Sequence, residues 1–554
     1  MVVRNDDSRG LDSNSTDALS NSKQPMISGA SWREIPTQHS SPTRQRIVLT
    51  LLTLLLIVTI ILAGTRLVAG VSGANDQLYV RIGNQQVVSL DLRQGLPINP
   101  DILGVNVSSA IGTISKDNVN GSILYNLPLI EGLREAQIKL LRFPGGSWGE
   151  EHYPSLDQLS AFSILLQQVK ADGMVQVRLS GPINGGFSEL TSIANRVFIA
   201  DRWVDFLNNP HSDQRIARYA HAPFYPVKFW AVGNEPDKLI NPATGQKYTV
   251  RDYVQDFIQF SLAMHHSDPT IKVFGPEISE FYGPGAGPGD SNGTLWMEGF
   301  LKGVGAYERA NNVTLLNGIS FHRTLFANAA QTPYAFLSST GEWDYLLPAL
   351  HQLTIQNLKR DVPIALTAIN TNPANQQAPS RGLAALWWAD TLGILVNQQV
   401  GYVAFSSAAG GGTPYSLFAA DGQQPTPMFR VMELFSHLQH NLIPLEVQRD
   451  PVSIYATQND NHQAVSLLFV NKSPATQLVQ VSAANSFFMT NPWNNLDISL
   501  MGDSIVAVTL HRNGTGSNEA YSFITPASSD ASTAPVIHTI CGNKPDALAN
   551  AIPC

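Results

Sequence analysis

The 554-residue sequence has only two cysteines, Cys541 and Cys554, and both lie near its end. This scarcity excludes a disulfide-rich fold and cysteine-based metal sites for the body of the chain. No motif predicts a metal or a cofactor site. In an exported chain we expect Cys541 and Cys554 to form a disulfide that closes a small terminal loop, and two free thiols are the alternative.

Charged residues are also scarce, at 14% of the sequence, and no block of lysine or arginine is present. A protein that binds nucleic acid needs such a block to neutralise phosphates. This composition, with a net charge of -8, therefore excludes a nucleic-acid partner and favours neutral or weakly charged ligands. The hydrophobic fraction of 43% is enough for a large buried core.

One segment, IVLTLLTLLLIVTIILAGT, carries no charge between Arg46 and Arg66. As a helix it spans about 28 Å, which matches the hydrocarbon thickness of a bilayer. We predict a transmembrane anchor at residues 47–69, a disordered cytoplasmic tail at 1–46 and a large part outside the cell, because basic residues precede the segment. The protein would then cross the cell membrane once. A cleaved signal peptide is the alternative, which the long polar lead disfavours.

Eight short apolar runs recur between about residues 101 and 410, and longer stretches of helical pattern separate them. Runs this uniformly apolar are typical of parallel strands that are buried on both faces. We predict an α/β fold with a (β/α)8 TIM barrel over residues 98–430. A doubly wound open sheet is the alternative, but no GxGxxG turn supports it. The runs are ILGVNV, IKLLRF, MVQVRL, VKFWAV, IKVFG, GISFH, PIALTAI and GYVAFS.

Short alternating strands follow the barrel and predict a β-sandwich at residues 443–525. Two further strands at 75–95 surround Gly83-Asn84 as a hairpin. A closed barrel has no open edge to receive them, so we expect them to join the sandwich. The segment 526–554 is rich in Pro, Ser and Ala and is predicted to be a C-terminal tail.

Functional residues of such a barrel lie on the loops at the carboxyl ends of its strands. The polar and aromatic candidates at these positions are Arg142, Trp148, Asn234, Glu235, Glu277, Tyr282 and His322. Glu150 and Glu151 are predicted to be solvated loop charges. Three arginines, Arg142, Arg178 and Arg323, would make the mouth of the barrel weakly basic.

Four motifs, LLRFPGGSWGE, WAVGNEPD, ISFHR and IALTAINTNP, together resemble clan A glycoside hydrolases, especially the arabinofuranosidase-like and heparanase-like families. The resemblance covers about residues 75–525 and implies carbohydrate as the partner. A retaining glycosidase needs one carboxyl to protonate the leaving oxygen and a second, about 5 Å away, to attack the anomeric carbon. The resemblance implies that Glu235 is the acid/base and that Asn234 binds the sugar 2-hydroxyl.

The second carboxyl is missing where the resemblance places it, because that position in the seventh strand is Ala368. A methyl group cannot attack carbon. Two other positions depart from the same pattern: Thr324 stands where a tyrosine would contact the nucleophile, and Ser406-Ser407 stand where many members have a tryptophan. We therefore expect weak or absent retaining hydrolysis.

Three hypotheses follow from these motifs: an active membrane-anchored glycosidase, a carbohydrate-binding pseudoenzyme and a purely structural protein. For the glycosidase and the pseudoenzyme, the expected ligand-binding residues are Asn234, Arg142, His322, Trp148, Glu277 and Tyr282. Glu277 is also the best spare carboxylate. With room for a water between it and Glu235 it would permit inverting hydrolysis, although pairing with an arginine at the barrel rim is the favoured prediction for it.

Overall fold

The computed structural model describes residues 77–83, 87–107, 126–180, 192–219, 224–325, 332–371, 379–410, 415–445, 450–483, 495–512, 519–524 and 534–539. The predicted cytoplasmic tail at 1–46, the anchor at 47–69 and the Cys541–Cys554 disulfide lie outside these residues. Within the described part of the chain, no helix combines the length and the apolar character needed to cross a bilayer.

Eight parallel strands close into a barrel in the ring order β10-β11-β4-β5-β6-β7-β8-β9. Each strand falls within or overlaps one of the eight apolar runs, so the predicted (β/α)8 barrel is confirmed. The strands are β4 (Gly104–Asn106), β5 (Leu140–Phe143), β6 (Asp172–Val177), β7 (Phe229–Val232), β8 (Lys272–Ile278), β9 (Gly318–Leu325), β10 (Ile364–Thr371) and β11 (Tyr402–Phe405).

Helices follow every barrel strand and pack outside the ring, as a (β/α)8 fold requires. Trp230, Trp387 and Trp388 are buried and contribute to this packing. The helices are α1 (Leu127–Glu135), α2 (Trp148–Glu151), α3 (Leu156–Val169), α4 (Ile193–Asn208), α5 (Asp213–Tyr219), α6 (Val250–Ser267), α7 (Trp296–Asn311), α8 (Pro333–Ser338), α9 (Trp343–Leu358), α10 (Arg381–Asn397) and α11 (Pro427–Ser436).

A small hydrophobic cluster fills the interior of the barrel. Its members come from six of the eight strands, which can meet only at the centre of the ring. Phe229, Phe274 and Tyr402 are its largest side chains, with ring centroids 5.0 to 5.8 Å apart. The barrel is therefore a packed core below its mouth, and polar residues are left at the carboxyl ends of the strands.

Two antiparallel sheets accompany the barrel, with the strand orders β16-β15-β1-β2 and β19-β18-β17-β14-β13-β12-β3. Side chains of both sheets, such as Val80, Leu467 and Val481, share one hydrophobic cluster. Strand β1 pairs with β2 as a hairpin and with β15 on its other side. The strands are β1 (Gln77–Ile82), β2 (Val87–Asp91), β3 (Leu96–Pro97), β12 (Asn441–Ile443), β13 (Val452–Gln458), β14 (Ala464–Asn471), β15 (Gln477–Ala483), β16 (Asn495–Leu500), β17 (Ser504–His511), β18 (Glu519–Ile524) and β19 (Val536–Thr539).

Part of the segment predicted to be a C-terminal tail is instead a strand. β19 lies within residues 526–554 and pairs antiparallel with β18 at the edge of the larger sheet. A four-residue edge strand shows too little alternation of apolar and polar residues to be distinguished in the sequence from the Ser, Pro and Ala residues before it. The same brevity explains why the sequence did not predict β3 and β12.

Candidate active site

A cleft of about 380 Å³ lies at the carboxyl ends of the barrel strands. Five of the expected catalytic and ligand-binding positions line it together: Trp148, Asn234, Glu235, His322 and Ala368. The remaining described lining residues are small or polar, and they are Asn106, Pro144, Gly145, Gly146, Ser147, Thr324, Asn370, Thr371, Ser406 and Ser407.

Glu235 reaches the cleft because of the backbone turn that follows β7. Gly233 has φ +80°, and a Cβ on it would lie 2.9 Å from the Cβ of Leu179, so only glycine fits. Glu235 itself has φ 50°, a left-handed conformation that is rare outside glycine. Its N–H donates to the carbonyl of Glu277 at 2.8 Å. The turn thus fixes the carboxylate at the cleft by strained backbone, which is common at functional sites.

His322 lies between two carboxylates. Its Nδ1 is 3.2 Å from Oε1 of Glu235, and its Nε2 is 3.3 Å from Oε2 of Glu277. A neutral imidazole can donate from only one nitrogen, so two carboxylate partners favour the imidazolium form. Consistently, the pKa of His322 is raised: burial lowers it, but the bonds and charges of the two glutamates outweigh burial.

The same contacts decide the protonation of Glu235. Burial raises the pKa of this carboxyl, but the hydrogen bond and charge of His322, together with Lys238 at 2.9 Å, outweigh burial and hold the pKa at about 2. Glu235 is therefore a carboxylate at neutral pH. It can accept a proton at rest, and it has none to donate.

Glu277 forms the deepest ion pair of the site. Its Oε2 accepts from Nη2 of Arg142 at 2.6 Å, and both side chains are fully buried. Burial raises the pKa of Glu277, but Arg142 and His322 outweigh it and hold the pKa at about 2. Arg142 also donates to Oδ1 of Asn234 at 3.3 Å. No described residue accepts from Nδ2 of Asn234, so the amide group is left as a donor on the wall of the cleft.

Three expected ligand contacts need correction. Arg142 and Glu277 are fully buried, and neither lines the cleft, so they position Asn234 and His322 from below instead of touching a ligand. Tyr282 is 49% exposed and also lies off the cleft, where the guanidinium of Arg323 stacks 5.0 Å from its ring centroid.

The expected basic mouth is also wrong, because each arginine has a partner among the described residues. Arg142 pairs with Glu277, and Arg323 pairs with Glu280 at 2.7 Å and Glu342 at 2.6 Å. The guanidinium of Arg178 is buried and lies 4.6 Å from the ring centroid of Tyr153. These contacts remove the argument that the arginines would attract an acidic sugar.

Glu150 is the largest error in the sequence interpretation of the site. It is 2% exposed, and its carboxylate accepts from the N–H of Leu179 at 3.1 Å, the N–H of Ser180 at 2.8 Å and the hydroxyl of Ser180 at 2.9 Å. It ties the loop after β5 to the end of β6. Glu151, the residue beside it, is exposed as predicted.

Ala368 lies in β10, in register with His322 of β9. The carbonyl of the preceding Thr367 accepts from Nδ2 of Asn106 at 2.9 Å, which ties this part of β10 across β11 to β4. No other carboxylate takes the place that Ala368 leaves: of the described residues that line the cleft, Glu235 alone has a carboxyl group.

Comparisons with known proteins support the fold. No protein-family model and no curated protein matches the sequence. Among solved structures, the α-L-arabinofuranosidase of Thermotoga maritima in complex with arabinose has 15% identity and a TM-score of 0.56, over 76% of this chain and 99% of that chain. The family 51 α-L-arabinofuranosidase AbfB of Bifidobacterium longum has 13% identity and a TM-score of 0.55, over 75% and 97%.

A second group of similar structures consists of proteins named for activity on other polysaccharides. The family 44 xyloglucanase of Paenibacillus polymyxa, solved with xyloglucan, has 13% identity and a TM-score of 0.54, over 76% of this chain and 98% of that chain. Identity this low shows a shared fold and no more. The chain therefore has the (β/α)8 barrel fold of the clan A glycoside hydrolases that its motifs resemble.

Proposed function

We propose that this protein binds carbohydrate in the cleft around Glu235 and does not hydrolyse glycosides by the ordinary retaining route. The observation that carries the proposal is the lining of the cleft, in which Glu235 is the single carboxylate among the described residues. A retaining mechanism needs two carboxyls about 5 Å apart, one on each side of the anomeric carbon.

Glu277 does not replace the missing group. An inverting mechanism needs a second carboxylate that touches a water on the far side of the sugar. Glu277 is fully buried beneath the cleft and is engaged by Arg142 and His322. Moving it toward a ligand would leave the buried guanidinium of Arg142 without its counter-ion, which costs several kcal/mol, on the order of 3–5.

The loss of the second carboxylate also weakens Glu235 as an acid. In carboxyl pairs, the charge of one member raises the pKa of the other, so that it keeps its proton near neutral pH. Ala368 supplies no such charge, and His322 and Lys238 hold the pKa of Glu235 at about 2. Both halves of retaining hydrolysis are therefore impaired.

The cleft keeps the features that bind sugars. Trp148 lines it and stacks on His152 with ring centroids 4.7 Å apart, which holds an aromatic face at the wall. Asn234 offers an amide donor, and Ser and Thr residues also line the cleft. The arabinose and xyloglucan complexes of similar folds support carbohydrate as the ligand class.

The test is to titrate the purified full chain with arabino-, xylo-, gluco- and uronate-containing oligosaccharides by calorimetry and to analyse the mixtures for cleavage. Binding without cleavage is the expected result. Azide or formate should restore cleavage of aryl glycosides, because a small anion can enter beside Ala368 and attack in place of a carboxylate. Unaided turnover with retained configuration would contradict the proposal, as would the absence of binding to every oligosaccharide; turnover that survives Glu235→Gln would also contradict the role of Glu235.

We also propose that the cleft lies outside the cell. The uncharged run between Arg46 and Arg66 supports an anchor at residues 47–69 with the N-terminus in the cytoplasm. Protease treatment of intact cells should remove the barrel and spare a tag at the N-terminus. Release of the whole chain into the medium would instead indicate a cleaved signal peptide.

A further inference from the structure

One wall of the cleft is formed by the loop that follows β5. Residues 144–148 all line the cleft, and Trp148 carries the only tryptophan, tyrosine or phenylalanine ring among its described lining residues. An aromatic face supplies a large contact area in a ligand site, but only if the ring is held in place. The affinity of the cleft for carbohydrate therefore depends on what holds this loop.

The loop has little rigidity of its own. Gly145 and Gly146 have φ +63° and +78°, a left-handed conformation that glycine enters and leaves freely. The helix that follows, α2, has four residues, and its N-cap Ser147 makes no side-chain capping bond. One uncapped turn is not stable in isolation, because the first hydrogen-bonded turn is the costly step of helix formation. Contacts with the rest of the barrel must therefore fix the loop.

Glu150, on the same helical turn, supplies such contacts with both of its carboxyl oxygens. Oε2 meets the N–H groups of Leu179 and Ser180 and the hydroxyl of Ser180, just after the end of β6. Oε1 accepts from Nε2 of Gln176, inside β6, at 3.3 Å. Because donors surround both oxygens, the position requires a side chain that only accepts hydrogen bonds, which among ordinary side chains is a carboxylate.

Gln176 extends this anchor to the glycines of the loop. Its side chain is fully buried; Nε2 also donates to the carbonyl of Gly146, and Oε1 accepts from Nη2 of Arg142, both at 3.3 Å. Reversing the amide would place its NH2 group against the guanidinium, so its orientation is fixed. Gly149 packs closely on this amide, because a Cβ on it would lie 2.6 Å from Nε2. The loop is thus held at two points, Glu150 and Gly146.

We propose that Glu150 is a positioning residue for ligand binding, which holds Trp148 at the wall of the cleft where its ring can stack on a sugar. The inference rests on the proposed carbohydrate-binding function. Glu150 lies close after Trp148 in the chain but is not among the described residues that line the cleft. It therefore acts on a ligand only through the loop that it anchors to the end of β6.

Glu150→Gln changes the contacts of this side chain and keeps its shape. The amide oxygen can still accept from Leu179 and Ser180, but the amide nitrogen then faces Nε2 of Gln176, donor against donor. Gln176 cannot turn over without opposing Arg142. A buried donor without an acceptor is unfavourable, so the variant should loosen the loop while the barrel stays folded.

Hydrogen–deuterium exchange of the full chain tests the anchor without any ligand. Peptides that cover residues 144–151 should exchange at least about 5-fold faster in Glu150→Gln than in the wild type, the smaller end of the effect of an unsatisfied buried donor. Glu151→Gln is the matched control, because Glu151 is exposed on the same turn, and it should leave exchange unchanged. Ser180→Ala removes one donor to Glu150 from outside the loop, so it should act in the same direction, and it takes the place of Glu150→Gln if that variant does not fold.

Calorimetry then tests the effect on binding, with whichever arabino-, xylo-, gluco- or uronate-containing oligosaccharide the wild type binds most tightly. Glu150→Gln should weaken this binding about 2- to 10-fold, the loss expected for Trp148→Ala. Because Glu150 acts through Trp148, adding Glu150→Gln to Trp148→Ala should cause little further loss. A residue that only stabilises the fold would lower the urea midpoint without changing the affinity of the folded protein, and a residue with its own contact to the ligand would give two losses that multiply.

Unchanged exchange at residues 144–151, unchanged affinity, or losses that multiply would each overturn the proposal. Absence of binding of the wild type to every oligosaccharide would overturn the binding function, and with it the role of Glu150 in binding. Faster exchange in Glu150→Gln would then still show that Glu150 anchors the loop, so the two failures are distinguishable.

Discussion

Ala368→Glu should convert the cleft into a retaining glycosidase, and the size of the effect can be estimated from charge. The variant places a second carboxylate about 5 Å from Glu235. At an effective dielectric constant of about 20, two like charges at this distance repel by about 3 kcal/mol. That energy corresponds to a rise of about 2 pH units in the pKa of Glu235, from its present value of about 2.

The sign of the pH dependence follows from the role of the acid. Glu235 must be protonated to assist the leaving group, so hydrolysis by the variant should decline as pH rises above about 4. Below that value the new carboxylate itself becomes protonated and can no longer attack. The expected profile of kcat/KM is a narrow bell with its maximum near about pH 4.

The assay is release of 4-nitrophenol from aryl glycosides across pH 3 to 8, with discontinuous detection at alkaline pH. We expect a gain in kcat/KM of at least about 100-fold over the wild type, since general acid catalysis alone contributes about 10²–10⁴. Ala368→Gln is the matched control, because it has the same shape without charge or nucleophile. An equal gain in this control, or no gain in Ala368→Glu while the fold is intact, would refute the reasoning.

Three further predictions concern binding and stability. Glu277→Gln leaves buried Arg142 without its counter-ion, so urea denaturation should show a loss of about 3–5 kcal/mol, whereas Glu151→Gln should change stability by less than about 0.5 kcal/mol. The pKa of Glu277 is about 2 in the folded protein against an ordinary value of 4.5, so the stability that this carboxylate contributes is complete above pH 4.5 and is lost as pH falls toward 2. Between these pH values, the free energy of unfolding should change less steeply with pH in Glu277→Gln than in the wild type. Equal slopes in the two proteins would contradict the pairing. Trp148→Ala should weaken oligosaccharide binding about 2- to 10-fold, whereas Tyr282→Ala, which lies off the cleft, should leave the affinity measured by calorimetry unchanged.

The barrel could be predicted from sequence because its strands are buried on both faces. Segments such as FWAV in β7 and LLRF in β5 have no exposed residue. Such segments stand out as apolar runs between polar loops. Strand β19 and strand β3 could not be found in this way, because two to four residues at a sheet edge leave no period to detect.

Strand order predicted which residues lie near Glu235, but it did not predict which group each charged side chain pairs with. Glu150 and Glu151 are identical in type and adjacent in sequence, yet one accepts three hydrogen bonds in the interior and the other is exposed. The difference depends on where the N–H groups of Leu179 and Ser180 lie, which only the folded chain determines. Lys238 was not singled out from the sequence, although its position three residues after Glu235 is a spacing at which the two side chains can pair.

The loss of one carboxylate at Ala368 affects more than the step that this carboxylate would perform. Without its negative charge, His322 and Lys238 outweigh burial and hold the pKa of Glu235 at about 2, so the remaining glutamate is a carboxylate and not an acid at neutral pH. The buried pair of Arg142 and Glu277 keeps His322 in place while this happens. Removal of either partner would leave the other buried and unpaired, at a cost of about 3–5 kcal/mol, so this pair stabilises the fold whether or not the cleft is active. The pair also fixes His322 against Glu235, and His322 in turn keeps Glu235 ionised, so the charges of the site allow Glu235 to accept a proton and not to donate one.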